Sequence, residues 1–191
     1  MAKKPLPTPD ELRQLLRYEP ETGKLFWRAR TPEMFADGGH TAAHVCARWN
    51  SKFSGKEAFT ACSRGYPVGA IWGTNIQAHR AAWAIYHGEW PTHRIDHIDG
   101  NPGNNRIENL RDVTQAENMR NISRRSDNTS GATGVYWRKQ RMKWGAYIKA
   151  DKIIPLGSFK TFDEAVAARK EAEKALGYHS NHGRSQRPKG F

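Results

Sequence analysis

The stretch Arg94-Ile95-Asp96-His97-Ile98-Asp99-Gly100-Asn101 decides how the middle of this 191-residue chain is interpreted. Apolar and polar residues alternate in its first half, which predicts a short strand. The strand ends at a turn signal, Asp-Gly-Asn-Pro. Neighbouring side chains of a strand point to opposite faces. We therefore expect Asp96 and His97 to approach a common centre from two different sides.

Two asparagines follow at fixed spacings, because Asn109 lies 12 residues after His97 and Asn118 lies nine residues further on. Thr114-Gln115-Ala116-Glu117 has the form of a capping box, which predicts a helix start and places Asn118 in its first turn. Oxygen atoms of Asp96 and Asn118 suit a hard cation such as Mg²⁺. Asn109 carries the donor and acceptor groups that can pin the intervening loop to its own backbone.

The type, order and spacing of these residues resemble the HNH endonuclease family with its ββα-metal motif. His97 matches the first H, Asn109 matches the N, and Asn118 replaces the final H, as in homing-type members. The neighbouring Asn104-Asn105-Arg106 also fits. The resemblance implies that one divalent metal, Mg²⁺ or Mn²⁺, is bound by Asp96 and Asn118. It further implies that His97 is the general base, that Asn109 orients it, and that cleavage leaves a 5′-phosphate and a 3′-hydroxyl.

Charge supports a nucleic-acid partner. The formal net charge is +12 and the isoelectric point is about 10.0, and a field of that sign attracts polyanions. A His-Arg pair, His79-Arg80, commonly precedes the motif in HNH proteins, which makes Arg80 a candidate phosphate contact. A solvated helix residue is the alternative for Arg80. Arg94, and Arg124 with Arg125 in the segment after the motif, are further candidates for contact with double-stranded DNA.

A second module follows in the last third of the chain. Gly134–Lys139 and Lys143–Lys149 read as two strands joined by a short turn, and Leu156–Phe159 reads as a third. A second capping box at Thr161 opens a helix, on which Ala165, Ala168, Ala172 and Ala175 would form the face that packs on the sheet.

These three strands and one helix resemble the APETALA-two domain of plant ethylene-response factors, which lays its sheet in the DNA major groove. Strand alternation assigns Trp137 to the small core. The DNA contacts implied by the resemblance are Tyr136, Arg138, Arg141, Lys143, Trp144 and Tyr147. A sheet face that is merely solvated is the alternative for the basic residues among them.

The predicted fold class is α+β, with a small ββα-metal core followed by a three-stranded antiparallel sheet packed on one helix. Predicted boundaries are 1–49 for an N-terminal helix and hairpin, and 50–122 for the nuclease. They are followed by 123–132 as a basic flexible linker, 133–178 as the DNA-binding module and 179–191 as a basic tail. No pattern in residues 31–54 could be interpreted.

Several other features bear on ligands and location. Cys46 and Cys62 could join His40 and His44 in a zinc site, but the spacing matches no standard zinc motif, and free thiols are favoured. No apolar run is long enough for a membrane span, and Met1-Ala2-Lys3-Lys4-Pro5 lacks a signal-peptide core. We therefore expect the protein in the cytoplasm of a prokaryote or a phage-infected cell. A monomer is the expected form, although the sequence leaves the oligomeric state open.

The sequence favours a metal-dependent DNA endonuclease of the homing or phage type. A sequence-specific DNA-binding regulator with a degenerate nuclease core is one alternative. A phage packaging or structure-specific nuclease is another. The DNA target, and nicking as opposed to double-strand cleavage, are left open by the sequence.

Overall fold

The computed structural model describes residues 5–150 and 152–185, and it divides the chain into two compact units, Met1–Asp112 and Val113–Phe191. Residues 1–4, which belong to the segment that lacks a signal-peptide core, lie outside the described residues. So do residues 186–191 of the predicted basic tail (179–191). Within the described part, no helix has the length and apolar character needed to cross a bilayer.

The first unit begins with helix α1 (Pro9–Leu15) and a hairpin of β1 (Leu16–Glu19) and β2 (Lys24–Trp27). Helix α2 (Ala42–Phe53) follows, and then a three-stranded antiparallel sheet of β3 (Ala61–Ser63), β4 (Tyr66–Ile71) and β5 (Thr74–Gln77). Helix α3 (Ala78–His87) leads to a two-stranded sheet of β6 (Arg94–His97) and β7 (Leu110–Val113). Thr8 caps the start of α1 with a capping box, and Gly88, in the left-handed conformation, ends α3.

One hydrophobic core joins the N-terminal elements to α3. Leu12, Leu16 and Leu25 are buried together with Ile71 of β4 and Ala81 of α3. The predicted boundary at residues 49 and 50 falls inside α2, so the N-terminal helix and hairpin share a core with the residues that precede the histidine motif.

The turn between β4 and β5 has an unusual residue. Ile71 pairs with Thr74, so Trp72 and Gly73 form a two-residue loop, with φ of 50° and 78°. A loop with two positive φ values favours Asn-Gly, because a bulky side chain is strained there. Such strain costs about 1–3 kcal/mol, so Trp72 is not explained by turn propensity.

The second unit contains α4 (Gln115–Met119), three strands and a long helix. The strands are β8 (Val135–Arg138), β9 (Lys143–Lys149) and β10 (Ile153–Phe159), in the antiparallel order β10-β9-β8. Helix α5 (Phe162–Ala175) packs on this sheet, with Ala146 and Ala165 fully buried between them. The capping boxes at Thr114 and Thr161 are both formed as predicted.

The buried side of α5 differs from the predicted alanine face. Ala165 is buried, but Ala175 is exposed. The other buried residues of α5 are Arg169 and Glu173, and Nε of Arg169 donates to Oε1 of Glu173 at 2.9 Å. Arg169 also donates to the carbonyl of Tyr147. These two buried charges are tolerated between the helix and the sheet because each has a charged or polar partner.

The segment after α4 is hydrogen bonded to the C-terminal part of the same unit. Asn121 is buried and accepts a hydrogen bond from Arg184, and Gly183 donates its backbone N–H to the carbonyl of Ile122. The amide of Arg124 donates to the carbonyl of Arg184. The first residues of the predicted flexible linker therefore belong to a packed junction with residues 179–184, and the unit begins ten residues before the predicted boundary at 122.

Candidate active site and nucleic-acid interface

His97 lies at the end of β6 with only 5% of its surface exposed. Its Nε2 atom is 3.0 Å from Oδ1 of Asn105. With Oδ1 as acceptor, the neutral ring carries its hydrogen on Nε2 and its basic lone pair on Nδ1. Burial lowers the pKa of His97, although Asn105 and two nearby carboxylates act in the opposite direction. The lowered pKa favours the neutral form of the ring, which can accept a proton.

Two further rings surround His97. His79 of α3 meets it edge to face at a centroid distance of 5.1 Å, and Tyr66 of β4 lies 6.1 Å from it. His79 is 4% exposed, and its Nδ1 atom has no hydrogen-bond partner among the described residues. Burial, together with the nearby His97 and Arg80, lowers the pKa of His79 to about 3. This second histidine was not singled out in the sequence as part of the site.

Asn109 fixes the loop between β6 and β7. Its Nδ2 donates to Oδ1 of Asp99 at 3.0 Å and to the carbonyl of Asn104 at 2.8 Å, while its Oδ1 accepts from the amide of Asp99. The loop-pinning role expected from its chemistry is thus present. The side chain bonded to His97 is that of Asn105, which the sequence analysis placed only in the surroundings of the motif.

The N-terminal hairpin holds Asn105 in place. The phenol of Tyr18 donates to the carbonyl of Asn105 at 2.7 Å, and burial raises the pKa of that phenol. Gly23, with φ of 74°, packs so closely that a Cβ would lie 2.5 Å from the backbone of Asn105 and Arg106. Only glycine fits this approach.

Asp96 also lies on β6, and its Oδ2 accepts from Nε and NH2 of Arg111 on β7 at 3.0 and 2.7 Å. The pair is largely shielded, since the Asp96 side chain is 11% exposed. Asn118 lies in α4 of the second unit, where its backbone N–H donates to the carbonyl of Thr114. Among the described residues, no group of three or more His, Cys, Asp or Glu side chains could hold a metal. Asp96 and Asn118 each carry hard oxygen donors of the kind that Mg²⁺ prefers.

The predicted phosphate contacts around the motif differ in exposure. Arg94 opens β6 and is exposed. Arg80 is half-buried in α3, with NH1 3.5 Å from the carbonyl of His93 and its guanidinium 5.8 Å from the ring centre of Trp90.

Four of the predicted DNA contacts share one face of the sheet in the second unit. Tyr136 pairs with Gly145 and Arg138 pairs with Lys143, and the rings of Tyr136 and Tyr147 are 6.0 Å apart. Arg138 donates to the hydroxyl of Tyr136 and to that of Ser158 on β10. These contacts hold a guanidinium flat on the open face of the sheet.

Trp144 lies on the opposite face, which corrects the prediction that it contacts DNA from the open side. It pairs with Trp137, and its ring is 4.9 Å from Phe162 of α5. Trp137, predicted to fill the core, is 43% exposed instead. As cross-strand partners, the two tryptophans lie on the same face of the sheet, with Trp144 against α5 and Trp137 more exposed.

The remaining candidates lie in turns of the second unit. Arg141 is exposed in the 3-10 turn before β9. Arg125 is exposed and paired with Asp127 at 2.8 Å, whereas a guanidinium nitrogen of Arg124 donates to the carbonyl of Gly131. Neither cysteine forms a disulfide, with Cys46 buried in α2 and Cys62 exposed on β3.

Comparison with known proteins places the histidine motif in a family. Residues 77–120 match the HNH endonuclease family. The chain is also 39% identical over 74 residues to Protein 3.8 of Escherichia phage T7, an alignment that covers 38% of this chain and 61% of that protein. The chain thus spans less than two thirds of this relative. No solved structure matches. Residues 77–120 are therefore similar to HNH endonuclease domains, a likeness that points to a nuclease.

Proposed function

We propose that this protein is a metal-dependent endonuclease of the homing or phage type that hydrolyses phosphodiester bonds in double-stranded DNA. The observation that carries the proposal is the buried His97 on β6, whose Nε2 is 3.0 Å from Asn105 within the segment that matches the HNH endonucleases. A neutral, oriented imidazole is what a general base requires at neutral pH.

In this proposal His97 removes a proton from water as the water attacks the scissile phosphorus. The contact with Asn105 orients the imidazole, and the network of Asn109 with Asp99 and Asn104 keeps the loop that carries Asn105 in one conformation. Asn109 thus acts on the histidine through the loop, rather than by direct contact.

Asp96 and Asn118 are the residues that would hold the divalent ion. When bound, Mg²⁺ or Mn²⁺ stabilises the charge on the phosphate and the leaving 3′-oxygen. Arg111 holds Oδ2 of Asp96 through two N–H groups, so the carboxylate has a fixed orientation on β6. The same guanidinium offsets part of the negative charge, which favours weak rather than tight metal binding.

The open face of the second sheet would bind the DNA. Arg138, Lys143 and Tyr147 combine positive charge with an aromatic surface, and phosphates supply much of the affinity of such interfaces. The likeness to the APETALA-two domain, with the sheet in the major groove, remains part of this proposal, as does a monomer active in a phage-infected cell.

Plasmid cleavage tests the proposal directly. We expect purified protein to convert supercoiled DNA to nicked or linear forms with Mg²⁺ or Mn²⁺, and we expect His97→Ala to lose that activity while retaining DNA binding. A protein that binds DNA but never cuts it would instead be a regulator with a degenerate nuclease core. Equal cutting of all linear DNA would favour a packaging or structure-specific nuclease.

A further inference from the structure

The first unit contains an aromatic cavity of about 360 Å³ that the proposed hydrolysis does not use. It lies where α2, the end of β2 and the β4–β5 turn meet. Its lining consists of four aromatic rings, one arginine and one alanine: Trp27, Arg30, Trp49, Phe53, Ala70 and Trp72.

The aromatic lining is built from two elements with different orientations. Trp49 and Phe53 are one turn apart on α2, with ring centres separated by 5.2 Å. Trp27 meets Trp49 edge to face at 5.7 Å, with an angle of 86° between the rings. The cavity wall is therefore made mostly of aromatic rings.

Arg30 contributes a hydrogen-bond donor to the cavity lining. Its guanidinium carbon lies 3.8 Å from the ring centre of Trp49, and Asn50 fixes its backbone through two hydrogen bonds. The Nε atom is buried, and no described residue accepts a hydrogen bond from it. A buried donor of this kind calls for a ligand with acceptor atoms.

The charges around the cavity select the class of ligand. Lys52 places its Nζ 5.1 Å from the ring centre of Phe53, so a cationic ligand would meet two cations already on the rings. Arg48 and Lys52 project from α2, which has no acidic residue along its length. A planar ligand with acceptor atoms and an attached phosphate fits this combination.

Trp72 provides a second, independent observation. It occupies a left-handed turn position where Asn would be unstrained, and 53% of its surface is exposed. Strained residues of this kind cluster at ligand-binding and active sites. A large indole at the mouth of an aromatic cavity is suited to stacking on an incoming ring.

We propose that this cavity binds one unpaired nucleobase of a DNA strand, with its phosphate towards the basic residues of α2. Aromatic stacking recognises any base that has left the duplex stack, and arginine supplies donors to its edge. The proposal rests on the proposed function in taking DNA as the partner. It adds a preference for DNA that carries an unpaired or extruded base.

The test compares two duplexes of the same sequence, one fully paired and one with a single unpaired thymine. Binding to full-length protein carrying His97→Ala is measured by fluorescence anisotropy in magnesium buffer, so that cutting does not interfere. We expect roughly tenfold tighter binding of the bulged duplex, within the range that one base–aromatic stack contributes. Adding Trp72→Asn should remove this preference.

Trp72→Asn is chosen because Asn-Gly is the favoured pair in such a turn, so the variant should fold at least as well, as a thermal melt will show. Tyr86→Ala is the matched control, since Tyr86 is an exposed aromatic residue of the same unit outside the cavity lining. The control should keep the preference. Equal affinity for both duplexes, or a preference that survives Trp72→Asn, overturns the inference. Failure to bind either duplex overturns the proposed function, and the inference with it.

Discussion

The phenol of Tyr18 donates a hydrogen bond to the carbonyl of Asn105, 87 residues away in the sequence, and the side chain of Asn105 contacts His97. The N-terminal hairpin therefore supports the base of the proposed reaction although it carries no reacting group. Its distance from the motif in the sequence hides this role.

Replacing Tyr18 tests that support. Tyr18→Phe removes one partly buried hydrogen bond and should lower the free energy of unfolding by about 0.5–1.5 kcal/mol. The turnover number for plasmid cleavage should fall, while the dissociation constant for DNA should stay the same. An unaltered turnover number in Tyr18→Phe would show that Asn105 does not need this anchor.

Substitution of the proposed general base, His97, should lower the cleavage rate more than Tyr18→Phe does. His97→Ala should reduce the cleavage rate by roughly 10²–10⁴-fold, the usual contribution of a general base. Asn105→Ala should reduce the rate less, because the histidine remains but loses its oriented contact. Both rates are measured by single-turnover cleavage at saturating protein. A His97→Ala variant that cuts at the wild-type rate would exclude this residue as the base.

The two proposed metal ligands, Asp96 and Asn118, are tested by removing one oxygen donor at a time. Asp96→Ala and Asn118→Ala should each abolish cleavage and weaken Mn²⁺ binding as measured by calorimetry, since each removes one of few protein oxygens. EDTA should stop cutting without releasing DNA. Glu108→Ala is the control, because Glu108 is an exposed acidic residue of the same motif. Cleavage that persists in EDTA contradicts a metal-dependent mechanism.

His79 should make the stability of the first unit depend on pH. Its pKa is about 3 when folded and has an ordinary value of 6.5, so between these values the unfolded chain binds a proton that the folded chain does not. The stability contributed by the neutral ring is thus present above pH 6.5 and is lost as the pH falls towards 3, by up to a few kcal/mol.

His79→Gln should flatten this part of the curve of unfolding free energy against pH, measured by denaturant titration. His44→Gln, at an exposed histidine on α2, should leave the slope unchanged. A slope that is the same in His79→Gln and in the unmodified protein would show that another group titrates.

The second unit should bind DNA when it is separated from the first. A fragment of residues 113–185 keeps His182 beside Arg169, whereas a shorter fragment of residues 128–178 loses this buried partner and should be less stable. Affinity of the 113–185 fragment should fall with salt, each phosphate contact adding roughly 0.9 to the log–log slope.

Arg138→Ala in that fragment should weaken binding by about 1–3 kcal/mol at one base position if the guanidinium reads a base, and uniformly if it contacts only phosphate. Lys174→Ala, on the exposed side of α5, is the control and should have little effect. Full affinity in Arg138→Ala would show that the open face of the sheet is not the DNA-binding surface.

Local signals in the sequence predicted most of the elements. Capping boxes act within four residues, so the starts of α1, α4 and α5 could be predicted from Thr8, Thr114 and Thr161. Helix α2 was missed although Val45, Trp49 and Phe53 recur at helical spacing along it.

The missed parts of the site depend on contacts between distant residues. The Asp96–Arg111 pair crosses from one strand to its partner, and the contact of His97 with Asn105 depends on the path of a loop. The buried Arg169–Glu173 pair was missed for a different reason, since charged residues are almost never fully buried unless paired, and pairing cannot be seen without the fold.

The contact of Gly23 with the backbone of Asn105 and Arg106 limits how this domain can be moved between proteins. Residues 77–120 are the part shared with a family, but they are not a transplantable block. A chimera that carries them without the hairpin would keep the histidine and lose the surface that shapes its loop. Moving the HNH-like segment into another protein, by design or by recombination, should succeed only when the breakpoint falls before α1.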